Sequence, residues 1–206
     1  MDWASCGSQW VNNHLVQSNV HIPLFKTDGL TVEVDRRIAP GVLCRSAQVD
    51  DKLSSITDTV VAGFQRGVEG MLYCLYTLDS NGPAPVYVGI ARAAGHSGRL
   101  SSLFRSPRKK PRFDDYDGYH IGDLSTQVIP GYVRKKAYKK VWADRLFANA
   151  PSMRPELRLP VYFWGKYWSQ GDISAIPSLG HTSLLLEERI LIEALNAAFP
   201  GKLLNA

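Results

Sequence analysis

"GMLYCLYTLDSNGPAPVYVGIAR", Gly70 to Arg92, is the stretch on which the fold turns. Its first part, Gly70–Leu78, is an aliphatic run with tyrosines at 73 and 76, the composition of a strand. Asp79–Pro85 is turn chemistry: Asn81-Gly82 permits positive φ, and Pro83 and Pro85 exclude a helix. Val86–Ile90 then reads as a second strand running back along the first. The stretch predicts an antiparallel hairpin.

On its N-terminal side, Leu53, Ile56, Val60 or Val61, and Phe64 recur every three to four residues. That period predicts an amphipathic helix, with Asp50 or Asp51 as its cap and Gly67 as its stop. Leu30–Asp35 alternates apolar and polar residues and predicts a short strand, while the residues before about 30 read as irregular. On the C-terminal side a helix is expected to start near Ser97 and run to Phe104. Another is expected over Arg134–Ala150, with Tyr138, Val141, Trp142, Leu146 and Phe147 inward and the lysines outward. Leu159–Ser169 is aromatic and predicts a third strand. His181–Phe199 carries the strongest helical pattern, with His181-Thr182-Ser183 placed to cap it and Pro200-Gly201 to end it. The expected fold is α+β: a small three-stranded, mainly antiparallel sheet flanked by helices. Residues 1–69 are expected to form an N-terminal extension packed on a core of 70–206, which carries a basic insertion at 105–158.

The chain has 206 residues, 45% of them hydrophobic, enough for a substantial core. No apolar run approaches the roughly 18 residues of a membrane span, so no membrane partner is expected. Cys6, Cys44 and Cys74 show neither CxxC pairing nor zinc-ligand spacing. "MDWASCGSQW" lacks the basic and apolar regions of a secretory signal. Reduced thiols and a cytoplasmic location are the expectation. Charge is unevenly distributed. Between Arg105 and Lys140 ten basic residues face four acidic ones, while the rest of the chain holds fourteen basic against fifteen acidic. A cationic segment on an otherwise neutral chain suits a polyphosphate partner, whose counterions it would release.

Several residues then stand in a suggestive order: Tyr73 in the first strand, Tyr87-Val88-Gly89 in the second, and Arg99 opening the element that follows. Glu188 comes later, with Leu191 and Ile192 at +3 and +4, and then Pro200 and Asn205. Over residues 70–104 and 184–205 this order resembles the GIY-YIG nuclease superfamily, and within it the small stand-alone restriction-type members. The resemblance implies that Tyr73, Tyr87, Arg99 and Glu188 are catalytic, with Glu188 holding Mg²⁺ or Mn²⁺ and Asn205 as the family's terminal asparagine. His96 would join them as general base or phosphate ligand, as histidine does in some restriction members. The pattern departs from the family in places. Met71-Leu72 replace the first Gly-Ile, Ile90 stands where lysine is common, and two extra residues precede Arg99. Aligning on "LLLE" favours Glu187 as the metal ligand; counting back from Asn205 favours Glu193.

The chemistry asks for the same residue types independently. Phosphodiester hydrolysis needs an activated water, charge stabilisation by a divalent cation, and a fixed cation on the non-bridging oxygens. One carboxylate is a normal protein contribution to a Mg²⁺ site, and arginine binds phosphate bidentately. Either tyrosine could orient or deprotonate the water. The expected DNA contacts are Arg92, Arg105, Arg108, Lys109, Lys110, Arg112, Arg134, Lys135, Lys136, Lys139, Lys140 and Asn205. The expected activity is a metal-dependent DNA endonuclease of restriction type, for which a two-fold homodimer would suit a palindromic site. The alternatives are a nucleic-acid-binding module with an inactive core, or a repair or mobile-element nuclease acting with partners.

Overall fold

The computed structural model describes residues 2–18, 20–37, 39–95, 98–101, 124–132 and 137–205, with backbone alone at 137–140. In chain order, helix α1 (Trp3–Val11) continues as a π-helical turn over Asn12–Val16. Five two-residue strands follow: β1 (Ile22–Pro23), β2 (Thr27–Asp28), β3 (Thr31–Val32), β4 (Val34–Asp35) and β5 (Val42–Leu43). Then come α2 (Ala47–Gly63), β6 (Val68–Asp79), β7 (Gly82–Arg92), α3 (Ser125–Val128), α4 (Ala137–Leu146), β8 (Val161–Ser169) and α5 (Leu184–Ala198). No helix among the described residues is long and apolar enough to cross a membrane.

The hairpin forms as its turn chemistry dictates. Asp79 pairs with Gly82, Gly82 takes a φ of 99°, and the Asp79 carboxylate accepts the Asn81 N–H at 2.7 Å. β8 adds to the other side of β6, so β6 is central and buried on both faces. The architecture is α+β with an antiparallel sheet, but the main sheet has four strands, in the order β1-β8-β6-β7, where three were expected. The fourth is β1, pairing Ile22 with Phe163 and Pro23 with Tyr162. A two-residue strand ending in proline leaves no periodic trace.

The N-terminal part departs further from expectation. The segment read as irregular contains α1, capped by Asp2 accepting the Ser5 N–H at 3.2 Å. Gly7, Trp10, Val11 and Leu15 are buried, and α1 lies along α5. Leu30–Asp35 is two strands in two small sheets, not one, because Glu33 between them bonds Lys26 and Cys44 through its backbone at 2.9 Å each. α2 starts three residues before Asp50, with Ser46 as its cap, accepting the Val49 N–H at 3.0 Å. Asp50 is instead paired at 2.6 Å with the buried Arg45. At the other end α2 gives way at Gly63 to a 3-10 turn over Phe64–Arg66, and it is this turn that Gly67 stops, with a φ of 87°. α4 ends at Leu146, four residues early, because Phe147 bridges to Leu157. Val141, expected inward, is 51% exposed, while Trp142, Leu146 and Phe147 are buried.

The sheet divides the interior in two. One face is covered by α2, α3 and α4, whose Val49, Leu53, Ile56, Val128 and Trp142 pack on Met71, Tyr73, Leu75, Tyr87 and Phe163. On the other, Trp10 and Leu15, together with Leu184, Leu191 and Leu195 of α5, pack on Leu72, Cys74, Tyr76, Val88 and Trp168.

Candidate active site

The hairpin register sets Tyr73 opposite Gly89 and Leu75 opposite Tyr87. Both tyrosines therefore share one face as diagonal cross-strand neighbours, with ring centroids 5.9 Å apart. Gly89 makes the close pairing possible. A Cβ there would stand 2.6 Å from the Tyr73 hydroxyl and 2.7 Å from the Tyr87 ring. Two aromatic residues outside the suggestive pattern complete the group. Phe163 stacks on Tyr73 with centroids 6.1 Å apart, and Trp142 leans on Tyr87 at 4.3 Å. The rings are 3% and 4% exposed, so the phenols lie within the core on the α2/α4 face.

The three candidate glutamates on α5 separate clearly. Glu187 is fully buried and both its oxygens are committed: one accepts the Ala175 N–H at 2.6 Å, the other the Thr182 hydroxyl at 2.7 Å. It ties the 172–182 loop to the helix and has no room for a metal. Glu193 is exposed. Glu188 is half-buried. Desolvation pushes its carboxyl above the usual range, with the neighbouring Arg189 acting in the opposite direction. It stands one turn beyond Leu184 and one before Leu191 and Ile192, on a helix packed against the second face of the sheet. Among the described residues no three His, Cys, Asp or Glu side chains gather to hold an ion.

The N-terminus of α5 meets the sheet where β6 begins and β7 ends. Ser183 caps the helix, accepting the Leu186 N–H at 3.4 Å, and the Glu69 carboxylate accepts the Leu184 N–H at 2.6 Å. Here a groove of about 440 Å³ is lined by Glu69, Arg92, Ala94, Gln170, Ser183 and Leu184, among others. Gly70 lies at this crossing. Its φ of 148° and the Ala91 carbonyl, 2.1 Å from where a Cβ would be, admit only glycine.

Arg99 is exposed, but it does not open a helix. Ala94 and Leu100 instead form an antiparallel bridge on either side of it in the chain. The Gly95 N–H bonds the Arg99 carbonyl at 2.8 Å and the Ser101 N–H bonds the Ala93 carbonyl at 2.7 Å. The rest of the helix expected as far as Phe104 lies outside the described residues, as do His96, Arg105, Arg108, Lys109, Lys110, Arg112, Arg134, Lys135 and Lys136. Lys139 and Lys140 occupy the first turn of α4. Asn205, expected at DNA, has its amide committed to the chain. Its Oδ1 accepts the Val88 N–H at 3.4 Å and its Nδ2 donates to the Val88 carbonyl at 2.7 Å. With the Leu204 N–H on the Val86 carbonyl at 2.8 Å, the tail covers the free edge of β7.

The fold thus brings Tyr73 to Tyr87, and Arg92 to the start of the Glu188 helix. It does not bring the tyrosines to Glu188, because the sheet stands between them. Sequence reasoning read Trp142 as inward but did not join it or Phe163 to the tyrosine pair, and it missed the Glu69 cap. Compared with protein-family models, curated proteins and solved structures, the chain matches none.

Proposed function

We propose that this chain is a metal-dependent DNA endonuclease that hydrolyses phosphodiester bonds at defined sites, with Glu188 as its metal ligand. The observation that carries the reading is the groove where β7 meets the α5 N-terminus, in which Arg92 lies exposed beside the start of the helix that bears Glu188. Arg92 and Arg99 support it, both exposed and neither paired with a carboxylate among the described residues. In this reading Arg99 grips the non-bridging oxygens of the scissile phosphate and Arg92 holds a flanking phosphate. A divalent cation, when bound, supplies Lewis-acid stabilisation of the developing charge. The basic segment supplies affinity through the DNA backbone.

A second reading, a DNA-binding module that does not cut, is favoured by one observation: the sheet separates the tyrosine pair from α5. Supercoiled plasmid incubated with the protein in Mg²⁺, with EDTA, and with Glu188→Ala distinguishes them. The nuclease reading expects discrete fragments in Mg²⁺ alone. A gel shift without cleavage on supercoiled, linear and branched DNA supports the binding module. Absence of both removes the DNA reading. Sedimentation of the DNA complex checks the proposed dimer.

A further inference from the structure

At the far end of the hairpin from Arg92, a cavity of about 220 Å³ opens beside β7. Its floor is apolar, including Val86, Leu146 and Leu204, and its rim carries Arg145, Arg158 and Lys202. No aspartate or glutamate lines it, and among the described residues none of the three cations is paired with a carboxylate. Three positive charges around one concavity repel each other and focus a positive potential, an arrangement that an anion would relieve.

The two guanidiniums are also held in place. Arg145 donates to the Gly201 carbonyl at 2.5 Å, and Arg158 donates through Nε to the Asp144 carbonyl at 3.2 Å. Each of these bonds uses one of five N–H donors, which leaves most of both forks for a ligand. The volume is below the roughly 300–1,000 Å³ of a small-molecule site, so it suits one phosphate with part of its sugar better than a whole nucleotide cofactor.

We propose that Arg145, Arg158 and Lys202 form a backbone-phosphate pocket, a second anchoring point for DNA outside the basic insertion. The inference rests on the DNA-binding part of the reading above and adds to its geometry. Val86 and Arg92 are six residues apart on β7, about 20 Å at 3.3 Å per residue. Duplex lying along this edge would therefore present phosphates to the two ends about six base pairs apart, at 3.4 Å per step. Lys139 and Lys140 begin the helix whose last turn is Arg145, about 9 Å further along its axis.

The test is fluorescence anisotropy with a labelled 20-base-pair duplex in EDTA, titrated from low to high NaCl. It compares the wild type with Lys202→Gln, with Arg158→Gln/Lys202→Gln, and with the triple variant that adds Arg145→Gln. Circular dichroism and thermal melts confirm folding. Lys202→Gln and the double variant leave the Arg145–Gly201 tie intact, so a result does not depend on the triple variant folding. The expected result is a salt slope shallower by about 0.9 for each phosphate no longer neutralised, with affinity at moderate salt falling roughly tenfold or more across the series. Unchanged slope and affinity in the folded double variant overturn the pocket while leaving DNA binding by the wild type in place. If the wild type binds no duplex, pocket and DNA reading fall together. If it binds but does not cut in Mg²⁺, the catalytic assignment falls and the pocket stands.

Discussion

Both faces of the central sheet are packed with rings, but they differ in how their helices approach. On the α2/α4 face, rings fill the space: Tyr73, Tyr87, Phe163 and Trp142 pack at centroid distances of 4.3–6.1 Å. On the α1/α5 face, Trp10 meets Trp164 at 5.0 Å and Tyr76 stacks on Tyr162 at 5.6 Å, and in addition the two helices approach each other closely. A Cβ on Gly7 would stand 2.2 Å from the Ala194 carbonyl oxygen, so main chain nearly touches main chain. The candidate groups are divided between the faces, with the Tyr73 and Tyr87 phenols on the first and the α5 carboxylates on the second. Residues that appear in catalytic order along a chain can thus sit on opposite sides of a sheet, and the experiments that matter ask which side reacts.

The largest effect is expected from removing a single oxygen. Tyr87→Phe keeps the ring against Trp142 and deletes only the hydroxyl, and Tyr73→Phe does the same beside Phe163. If the phenols serve the reaction, cleavage falls about 10²–10⁴-fold in one or both variants while the melting temperature stays within a few degrees. Cleavage at the wild-type rate in both would assign the tyrosines wholly to the core and leave catalysis to the groove where Arg92 meets α5.

Next come the two close-packed glycines. Gly7→Ala places a methyl group against backbone, which cannot rotate away, and α1 must separate from α5. The expected cost is about 3 kcal/mol, or roughly 6–12 °C for a chain of this size. Gly89→Ala meets the hydroxyl end of Tyr73 and the edge of Tyr87, which can tilt. Its expected cost is about 1–2 kcal/mol, with a larger loss of activity than of stability. Thermal melts rank the two. The opposite order would make the α2/α4 face the stiffer one.

What the sequence disclosed follows the same physics. The hairpin and α5 were legible because local chemistry specifies them: Asn81-Gly82 for the turn, Ser183 and a sustained helical period for the helix. α1 was obscured by Gly7 and by Cys6, Ser5 and Ser8, although Trp10, Val11 and Leu15 hold the right spacing. The two-residue strands carry no period and owe their pairing to the tertiary structure. For the site, adjacency of the tyrosines could be read from two antiparallel strands. Their orientation relative to Glu188 could not, because β6 is apolar on both faces and its pattern does not say which helix covers which. Nor could Glu187 be told from Glu188, since the partners that occupy Glu187 come from a loop and a cap that no periodicity describes.

These neighbouring glutamates give the third prediction. Glu187→Gln leaves the Ala175 N–H and the Thr182 hydroxyl with a weaker acceptor inside the protein, at a cost of about 1–3 kcal/mol. Glu188→Gln should act in the opposite sense. Burial holds the folded-state pKa of Glu188 above the unfolded value, so its ionisation disfavours the native state. Stability is lost as pH rises from below the unfolded pKa through the folded one, and the deficit then stays constant. At pH 7–8 the variant is expected to melt a few degrees above the wild type, and near pH 4 the two should converge. Added Mg²⁺ should raise the melting temperature of the wild type and not of the variant. Equal responses to Mg²⁺ would mean that the ion binds elsewhere.

The smallest effect lies on the α1/α5 face, at His14. Its imidazole sits between Trp10 and Trp164, with centroid distances of 5.0 and 5.2 Å. Burial lowers its pKa, and the positive charge of Lys166 lowers it further. The folded protein therefore holds this ring neutral at pH values where the unfolded chain already binds a proton. Stability is unaffected well above pH 6.5 and declines as pH falls below it, down to the folded-state pKa. His14→Phe keeps a ring between the two tryptophans and removes the titration. Its melting temperature should change less than that of the wild type between pH 7.5 and 5.5, and Lys166→Met should recover part of the same difference. A wild type and His14→Phe with parallel pH profiles would show that acid sensitivity in this range arises elsewhere. Acid lability would then no longer distinguish the α1/α5 face from the α2/α4 face.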